Sequence, residues 1–425
     1  MGKSDLYGGT LQTALDMTAQ YYSYYDISEC PYGHYQTFEY EHPSCTAISD
    51  ALWMRIYYCI GLTNNLLKYL DKPEAVQICS NYDYLRGEAL ALRAYLHFEL
   101  IRIFAPDVKK NPEYKSIPYR KTFSPDIEPQ LKVKEVYQEI LADLTEAKQL
   151  LSNDVIRTNG PDWLGESEKK EESDDVTDKN EGYYTSDFLK TRKYRMNYYA
   201  VLGTLARVHL TLGTTDDMEK AYDYAMEVIE SGKFRPIQEE HILVSGEQAK
   251  YTDILFTDEF IFGLYSAQVD AFYKSNFDES YGVKKILINK LSDIYGQGTR
   301  DLRQTHWFKT SWGTSYLLKH NADLEYAKEK VRMITLAEMY YIAAEAHPAE
   351  AYDLLEEILP SREIHSSLPV NAGRTEVLTE VLKEYRKEYI GDGQFFYAYK
   401  RLIEEEAAIL PLGINIPNEN KVLVW

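Results

Sequence analysis

Apolar residues recur every three or four positions along much of this chain, which is the spacing of amphipathic helices. The clearest segment is 86–104, RGEALALRAYLHFELIRIF, in which Leu92, Leu96 and Leu100 fall on one stripe. A second stripe of this segment carries only small residues, and these let a neighbouring helix approach closely. We therefore predict a helix that other parts of the chain cover on nearly every side.

The same period predicts further helices at 11–25, 48–70 and 134–151. Two later regions, beginning near Tyr194 and Leu336, follow the pattern of tetratricopeptide helix pairs, with Ala and Gly where two helices touch. Such pairs cannot bury their apolar faces alone, so we expect them to stack into a solenoid.

Three long stretches interrupt the helical pattern. Residues 106–129 contain several prolines and cannot be regular, and residues 152–181 are polar and nearly free of apolar side chains. Residues 241–325 lose the helical period, although Phe260–Tyr265 has the composition of a short buried strand. We expect loops in all three.

The charge balance narrows the classes of partner. With 47 basic and 67 acidic residues, the chain of 425 residues carries a net charge of -20, which argues against nucleic acid and against anionic lipid as direct partners. No run approaches the roughly 18 apolar residues of a spanning helix, and the start, MGKSDLYGG, has no apolar signal region. We interpret Met1 and Gly2 as a cloning scar.

Little in the sequence points to catalysis. The hydrolase, zinc-protease and nucleotide-binding signatures are absent, and His97 and His209 fall within predicted helices, where a core role is expected. The four cysteines lack metal-site spacing; Cys30 and Cys45 flank a polar loop and could pair in an oxidising compartment, which the sequence leaves open. We predict a protein that is not an enzyme, has no catalytic residues and binds no metal.

Several motifs occur in the order typical of one protein family. Besides G-E-A-L-x-L-R-A-Y from Gly87, they are W-x-x-x-Y-x-x-I-x-x-x-N at 53–64, I-P-Y at 117–119, Y-x-x-I-x-x-D-L-x-x-A at 137–147 and R-D-L-R at 300–303. Together with residues 384–401, they resemble the SusD/RagB family, the cell-surface nutrient-binding lipoproteins of glycan-foraging Gram-negative bacteria. The resemblance extends over about residues 45–420.

The last motif departs from the family pattern. Tyr385, Phe395 and Ala398 stand where the pattern has Arg, Arg and Asp, so we expect aromatic packing in place of a polar network. Asp301 and Arg303 are expected to form a local ion pair and helix cap rather than a catalytic pair.

The resemblance implies a mostly α-helical fold with about four tetratricopeptide-like helix pairs in a right-handed superhelix, and a loop-rich second region with minor β structure. We expect one body over 1–425. The helical scaffold is assigned to 48–104, 132–151, 194–232 and 330–390. The loop-rich ligand side is assigned to 26–47, 152–193, 240–328 and the tail 402–425.

The resemblance also implies a function. The protein would bind a nutrient at the cell surface, with an oligosaccharide as the favoured class, and deliver it to a TonB-dependent transporter of the SusC type. The outer membrane would hold it only through a lipidated cysteine outside this sequence. No cofactor is expected, and a structural calcium ion stays open.

The family pattern fixes no sugar-binding residue, so candidates come from the residue types in the expected ligand loops. Aromatic rings pack on the apolar faces of sugars, and amides bind hydroxyl groups. The candidate ligand-binding residues are Trp312, Trp163, Tyr35, Tyr32, Trp307, Tyr273 and Asn276. Trp312, in the turn-like S-W-G-T-S, is the favoured stacking residue; Trp163 and Trp307 could equally belong to the core.

A second interpretation is a tetratricopeptide adaptor that grips a peptide in its solenoid groove. Within the family itself, peptide or glycoprotein ligands are further alternatives.

Overall fold

The computed structural model describes residues 1–24, 30–164, 188–242, 251–277, 286–288, 291–311, 313–320 and 324–402. Its α-helices are α1 (Thr10–Thr18), α2 (Gly33–Gln36), α3 (Pro43–Leu70), α4 (Ala75–Ile78), α5 (Tyr82–Phe104), α6 (Val133–Leu150), α7 (Ile156–Asn159), α8 (Tyr198–Leu212), α9 (Thr215–Glu230), α10 (Glu239–Ile242), α11 (Val269–Phe277), α12 (Leu291–Tyr295), α13 (Leu302–Trp307), α14 (Leu336–Ala346), α15 (Ala351–Ile358), α16 (Arg374–Glu388) and α17 (Phe395–Leu402). The strands are β1 (Tyr22–Tyr24), β2 (Phe260–Tyr265), β3 (Ile286–Ile288), β4 (Phe308–Ser311), β5 (Thr314–Leu317) and β6 (Lys330–Thr335).

Helix α5 lies at the centre of the helical part, as its composition predicts. Between Gly87 and Ile103 only Leu92 is not fully buried. A Cβ atom at Gly87 would lie 2.7 Å from Cγ of Leu151, so the small residue permits the close approach of the chain that follows α6. The predicted covering of this helix is confirmed.

The helices pack one after another. Helix α3 lies on α5, α5 on α6, α6 on α8, α8 on α9, α9 on α14, and α14 on α15 and α16. The turn between α8 and α9 uses Gly213 in the left-handed region, φ +69°, followed by a capping box of Thr214 and Asp217. The mostly helical fold class is confirmed.

Among the described residues the β structure is minor. It consists of three antiparallel two-stranded sheets, β1–β3, β2–β6 and β4–β5. The strand predicted at Phe260–Tyr265 is confirmed, and it pairs with β6, which the sequence analysis did not find.

The first predicted helix is too long. The chain leaves α1 after Thr18, and Gln20 takes a left-handed conformation, φ +63°, that a continuing helix does not allow. Residues 22–24 then form β1 instead of the last helical turn. The helix predicted from residue 48 begins earlier, because His42 caps it and Pro43 occupies its first turn.

The N-terminal helix closes against the C-terminal part of the chain. The buried carboxylate of Asp16 accepts hydrogen bonds from the backbone N–H groups of Gly391, at 2.7 Å, and Gly393, at 3.1 Å. The hydroxyl group of Tyr21 donates to the carbonyl oxygen of Arg386 at 2.6 Å. These bonds join residues that are more than 360 positions apart.

Candidate functional site

The structure places two of the candidate ligand-binding tyrosines inside the N-terminal loop. Tyr35 is fully buried; its hydroxyl group donates to the carbonyl oxygen of Cys45 at 3.0 Å and lies 2.8 Å from Oγ of Ser49. Tyr32 is also buried, with its hydroxyl group 3.4 Å from Oγ1 of Thr10. Both rings fasten the loop to α1 and α3, so neither offers a face to a ligand in solution.

Two further candidates lie on α11 and serve packing. Tyr273 is buried between Phe277 and His320, with ring centroids 4.9 and 4.1 Å away. The amide group of Asn276 donates to the carbonyl oxygen of Phe272 in its own helix at 2.8 Å. This candidate is half-buried and its donor is already used.

The structure describes two of the three candidate tryptophans, and these two differ in burial. Trp307 is fully buried and donates from Nε1 to the carbonyl oxygen of Ile254 at 2.6 Å, so it belongs to the core. Trp163 is half-buried, and its carbonyl oxygen accepts from the N–H group of Thr191. Trp312 lies outside the described residues.

Cys30 and Cys45 are both buried and carry free thiols. Burial raises the pKa of each thiol to about 11, so both are neutral thiols at physiological pH.

The structure brings the start of the N-terminal loop next to the insert. Strand β1, which directly precedes the loop assigned to 26–47, pairs with β3 of the insert, and β5 lies beside β3. Helix α2, within that loop, lies beside β1. We call the elements β1, β3, β5 and α2 the strand face; the half-buried rings in or shortly after them are those of Tyr24, Phe38, Tyr40 and Tyr316.

A second surface was not found from the sequence. A groove of about 740 Å³ runs between the middle of α3 and the loop 118–124. We call it the α3 groove. Its rings and long side chains are those of Trp53, Met54, Arg55, Tyr57, Tyr58, Arg120 and Phe123.

The outward side chains of α3 explain this surface. Met54, Tyr58, Leu62 and Leu66 follow each other at intervals of four residues and are 68, 63, 52 and 37% exposed. If another part of the chain covered this face of α3, the stripe would be buried. If the face met only solvent, polar residues would be expected at these positions. The sequence analysis considered only the motif at 53–64 of this helix; the four-residue spacing of these apolar residues was the available signal.

Hydrogen bonds from α3 hold the loop that forms the other wall of the groove. The hydroxyl group of Tyr57 donates to the carbonyl oxygen of Pro118 at 2.8 Å. The amide group of Asn64 donates to the carbonyl oxygens of Arg120, at 3.0 Å, and Thr122, at 3.4 Å. Asn64 thus fastens two loop residues to α3.

A buried histidine fixes the loop from below. The backbone N–H group of Arg120 donates to Nε2 of His97 at 3.0 Å, and Nδ1 of His97 lies 2.8 Å from the carbonyl oxygen of Arg93. This arrangement needs the neutral ring protonated on Nδ1. Burial lowers the pKa of His97 to about 3, which maintains that form.

An acid of α6, from the motif at 137–147, completes the support. Asp143 forms a two-pronged ion pair with Arg93, both N–O distances being 2.7 Å, and accepts from the hydroxyl group of Tyr119 at 2.5 Å. The ring of Tyr119 stacks on His97 with a centroid distance of 3.9 Å. The motifs at 53–64, 117–119 and 137–147 thus meet in one network beneath the α3 groove.

A separate ion network joins the loop-rich part to α16. Asp301 caps α13 and binds Arg303 through both carboxylate oxygens, as expected, and Arg303 also contacts Glu384 at 2.7 Å. Glu388 accepts from Arg332 at 2.6 Å and from Arg303 at 3.1 Å.

This network corrects one expectation. Tyr385 does pack on aromatic rings, Tyr389 and Tyr341, but a polar network is still present. Its arginines come from other parts of the chain, 303, 332 and 362. Burial alone would raise the pKa of Glu388, but these guanidinium groups hold it well below its usual range.

Within the described part of the chain, no cluster of His, Cys, Asp and Glu side chains has the arrangement of a metal site. The helices of the same residues include none with the length and apolar character needed to span a bilayer.

Comparison with known proteins finds a matching family model and structures of the same fold. Residues 14–160 match the SusD-like_3 family model, described as starch-binding and associating with the outer membrane. A SusD-like carbohydrate-binding protein from Bacteroides vulgatus has the same fold, with a TM-score of 0.67 at 20% identity over 93% of this chain and 78% of that one. Residues 14–160 are therefore similar to the SusD-like family, and the chain as a whole has the fold of SusD-like proteins.

Other SusD-like structures agree. A SusD superfamily protein from Bacteroides thetaiotaomicron matches with a TM-score of 0.65 at 20% identity, over 94% of this chain and 85% of that one. A structure that contains a xylogluco-oligosaccharide matches with a TM-score of 0.63 at 15% identity, over 93% and 79%. At these identities the likeness shows the fold alone. No curated protein sequence matches this chain.

Proposed function

We propose that this SusD-like protein captures an oligosaccharide at the cell surface and delivers it to a TonB-dependent outer-membrane transporter. The observation that carries the proposal is the meeting of the N-terminal loop and the insert at the strand face. These are the two regions from which the family resemblance draws ligand residues.

The strand face has the chemistry that a sugar requires. Phe38 and Tyr316 are half-buried, so each ring is held by the protein while part of it meets solvent. Across the β4–β5 hairpin, Tyr316 lies opposite Lys309, and the hydroxyl groups of Thr310 and Ser315 are 3.0 Å apart. Rings can pack on the apolar face of a sugar while the amine and hydroxyl groups bind its oxygens.

The comparisons support this choice of ligand and location. The matching family model is described as starch-binding and outer-membrane associated, and one structure of the same fold contains a xylogluco-oligosaccharide. Capture on an accessible face followed by transfer needs only non-covalent binding. We accordingly propose a lipid-anchored protein without catalytic activity.

A glycan array followed by calorimetry tests the ligand class. We expect at least one oligosaccharide to bind, and Trp312→Ala and Tyr316→Ala each to weaken that binding by about three- to tenfold, the loss expected for one aromatic contact. Tyr69→Ala serves as the control, because this exposed tyrosine lies at the far end of α3. No glycan binding, together with peptide hits lost on mutation of the solenoid, would favour an adaptor instead.

Delivery is tested in cells. Once the array identifies a glycan, its fluorescent derivative should enter cells with the wild-type gene faster than cells in which the gene is deleted or carries Trp312→Ala. Equal uptake in all three strains would contradict the delivery role.

A further inference from the structure

The α3 groove lies on the helical scaffold and the strand face on the loop-rich part, so the two surfaces use different elements. We propose that the α3 groove is a second saccharide site and that it takes acidic oligosaccharides, those that carry uronate carboxylates. The inference goes beyond the proposed function, because it holds whether or not the strand face binds a glycan.

The groove is a built site. One wall is a helix, and the other is a loop that four hydrogen bonds fasten to Tyr57, Asn64 and His97. Its volume of about 740 Å³ is within the usual range of ligand sites, roughly 300–1,000 Å³. The shape therefore exists before any ligand arrives, which lowers the entropy cost of binding.

The groove presents rings to solvent. The side chains of Tyr58 and Phe123 are 63 and 51% exposed, and Trp53 forms part of the floor. Gly61 leaves a further part of the floor open, since a Cβ atom there would have no neighbour within 4 Å. Aromatic side chains from both walls can thus pack on the apolar faces of sugar rings.

The charges of the lining favour an acidic ligand. Two arginines, Arg55 and Arg120, line the groove and no carboxylate does, in a chain whose net charge is -20. Arg55 is paired with Asp5 at 2.9 Å, so Arg120 is the cation to which the argument applies. Arg120 donates from Nη2 to the carbonyl oxygen of Ser124, and its nearest carboxylate, Glu128, is 4.0 Å away, beyond hydrogen-bond distance. Its remaining N–H groups can reach a ligand carboxylate, a pairing of matched planar geometry.

This charge pattern distinguishes an acidic sugar from an apolar partner helix. A helix laid on Met54 and Tyr58 would bury the N–H groups of Arg120 that do not bind Ser124 and would offer them no acceptor, and an unsatisfied buried donor is costly. A uronate places rings on the aromatic side chains and a carboxylate on the arginine at the same time.

The test uses a short oligogalacturonate and its methyl ester, which has the same rings without the charge. By calorimetry we expect the wild-type protein to bind the acid more tightly than the ester, and added salt to reduce the difference. Tyr58→Ala and Phe123→Ala should weaken binding of the acid by about three- to tenfold. Gly61→Leu, which fills open space, should block it.

Arg120→Gln should remove the preference for the acid while the ester binds as before. Tyr69→Ala, on the same helix but outside the groove lining, should leave both affinities unchanged. Melting curves of each variant show whether it is folded.

Four results would overturn the proposal. The first is no binding of the acid to the wild-type protein, and the second is equal binding of acid and ester. The third is binding that survives Tyr58→Ala and Gly61→Leu but is lost in Trp312→Ala, which would assign the sugar to the strand face alone. Loss of transporter association in the groove variants, with sugar binding intact, would likewise make the groove a protein interface.

Discussion

Removal of the Glu388 carboxylate should destabilise the protein more than loss of any exposed ion pair. This carboxylate is fully buried and lies 2.6 Å from Arg332, 3.1 Å from Arg303 and 3.4 Å from Arg362. In Glu388→Ala, Arg303 keeps Asp301, and Arg332 keeps only a longer contact, 3.6 Å, to Asp392.

The magnitude follows from the burial. Breaking one partner of a buried ion pair costs about 3–5 kcal/mol, because the opposite charge stays desolvated. With an unfolding entropy of about 2.1 cal/mol/K per residue, a chain of this length has about 0.9 kcal/mol/K. We therefore expect the melting temperature of Glu388→Ala to fall by about 3–6 °C. Glu388→Gln should fall less, since its amide oxygen still accepts hydrogen bonds.

Differential scanning calorimetry measures this shift. The matched control is Asp216→Ala, which breaks the exposed pair of Asp216 with Lys220 and should shift the melting temperature little, because solvent screens such a pair. If the two alanine variants melt within about 1 °C of each other, the network around Glu388 does not hold α16 to the loop-rich part in the way described here.

Three other predictions concern the helical scaffold. Gly87→Ala should lower the free energy of unfolding by about 1–3 kcal/mol, because its Cβ would lie 2.7 Å from Cγ of Leu151, whereas Gly61→Ala, with no atom within 4 Å, should be neutral or slightly stabilising; chemical denaturation of both tests this. Since the pKa of His97 falls from 6.5 unfolded to about 3 folded, the unfolded chain binds the extra proton below pH 6.5, and the contribution of His97 to stability should be lost by about 1.4 kcal/mol per pH unit towards pH 3. His97→Gln should remove that part of the slope, and identical slopes would contradict the assignment. Asn64→Ala should cost about 1–3 kcal/mol and speed amide hydrogen exchange in the loop 118–124, because two loop carbonyl groups lose their donor; unchanged exchange would mean that other contacts fix the loop.

The sequence predicts elements that follow a repeating spacing of apolar residues. It does not predict contacts between residues that lie far apart in the sequence. The helix at 82–104 follows from periodicity, because both its stripe of large apolar residues and its stripe of small residues indicate that other parts of the chain cover it. The partners of Glu388 could not be predicted, since Arg303, Arg332 and Arg362 come from three separate segments.

The candidate ligand residues show a different difficulty. Tyr35 is fully buried and Tyr58 is 63% exposed, although both are tyrosines in apolar surroundings. A tyrosine suits a wet core edge and a sugar surface equally, so residue type alone could not separate them. The spacing of Met54, Tyr58 and Leu62 along a helix already covered on its other stripe was a better signal than the aromatic content of loops.

The contact between α1 and the end of the chain has a consequence for how the protein forms. The stack from α3 to α15 is built mostly from neighbours in the sequence, which is the kind of contact that forms early. Asp16, by contrast, accepts not only from the nearby hydroxyl group of Tyr22 but also from the backbone N–H groups of Gly391 and Gly393. Helix α1 can therefore make these last contacts only after nearly the whole chain has been made, and until then part of the face that it buries in the folded protein stays accessible to chaperones and proteases.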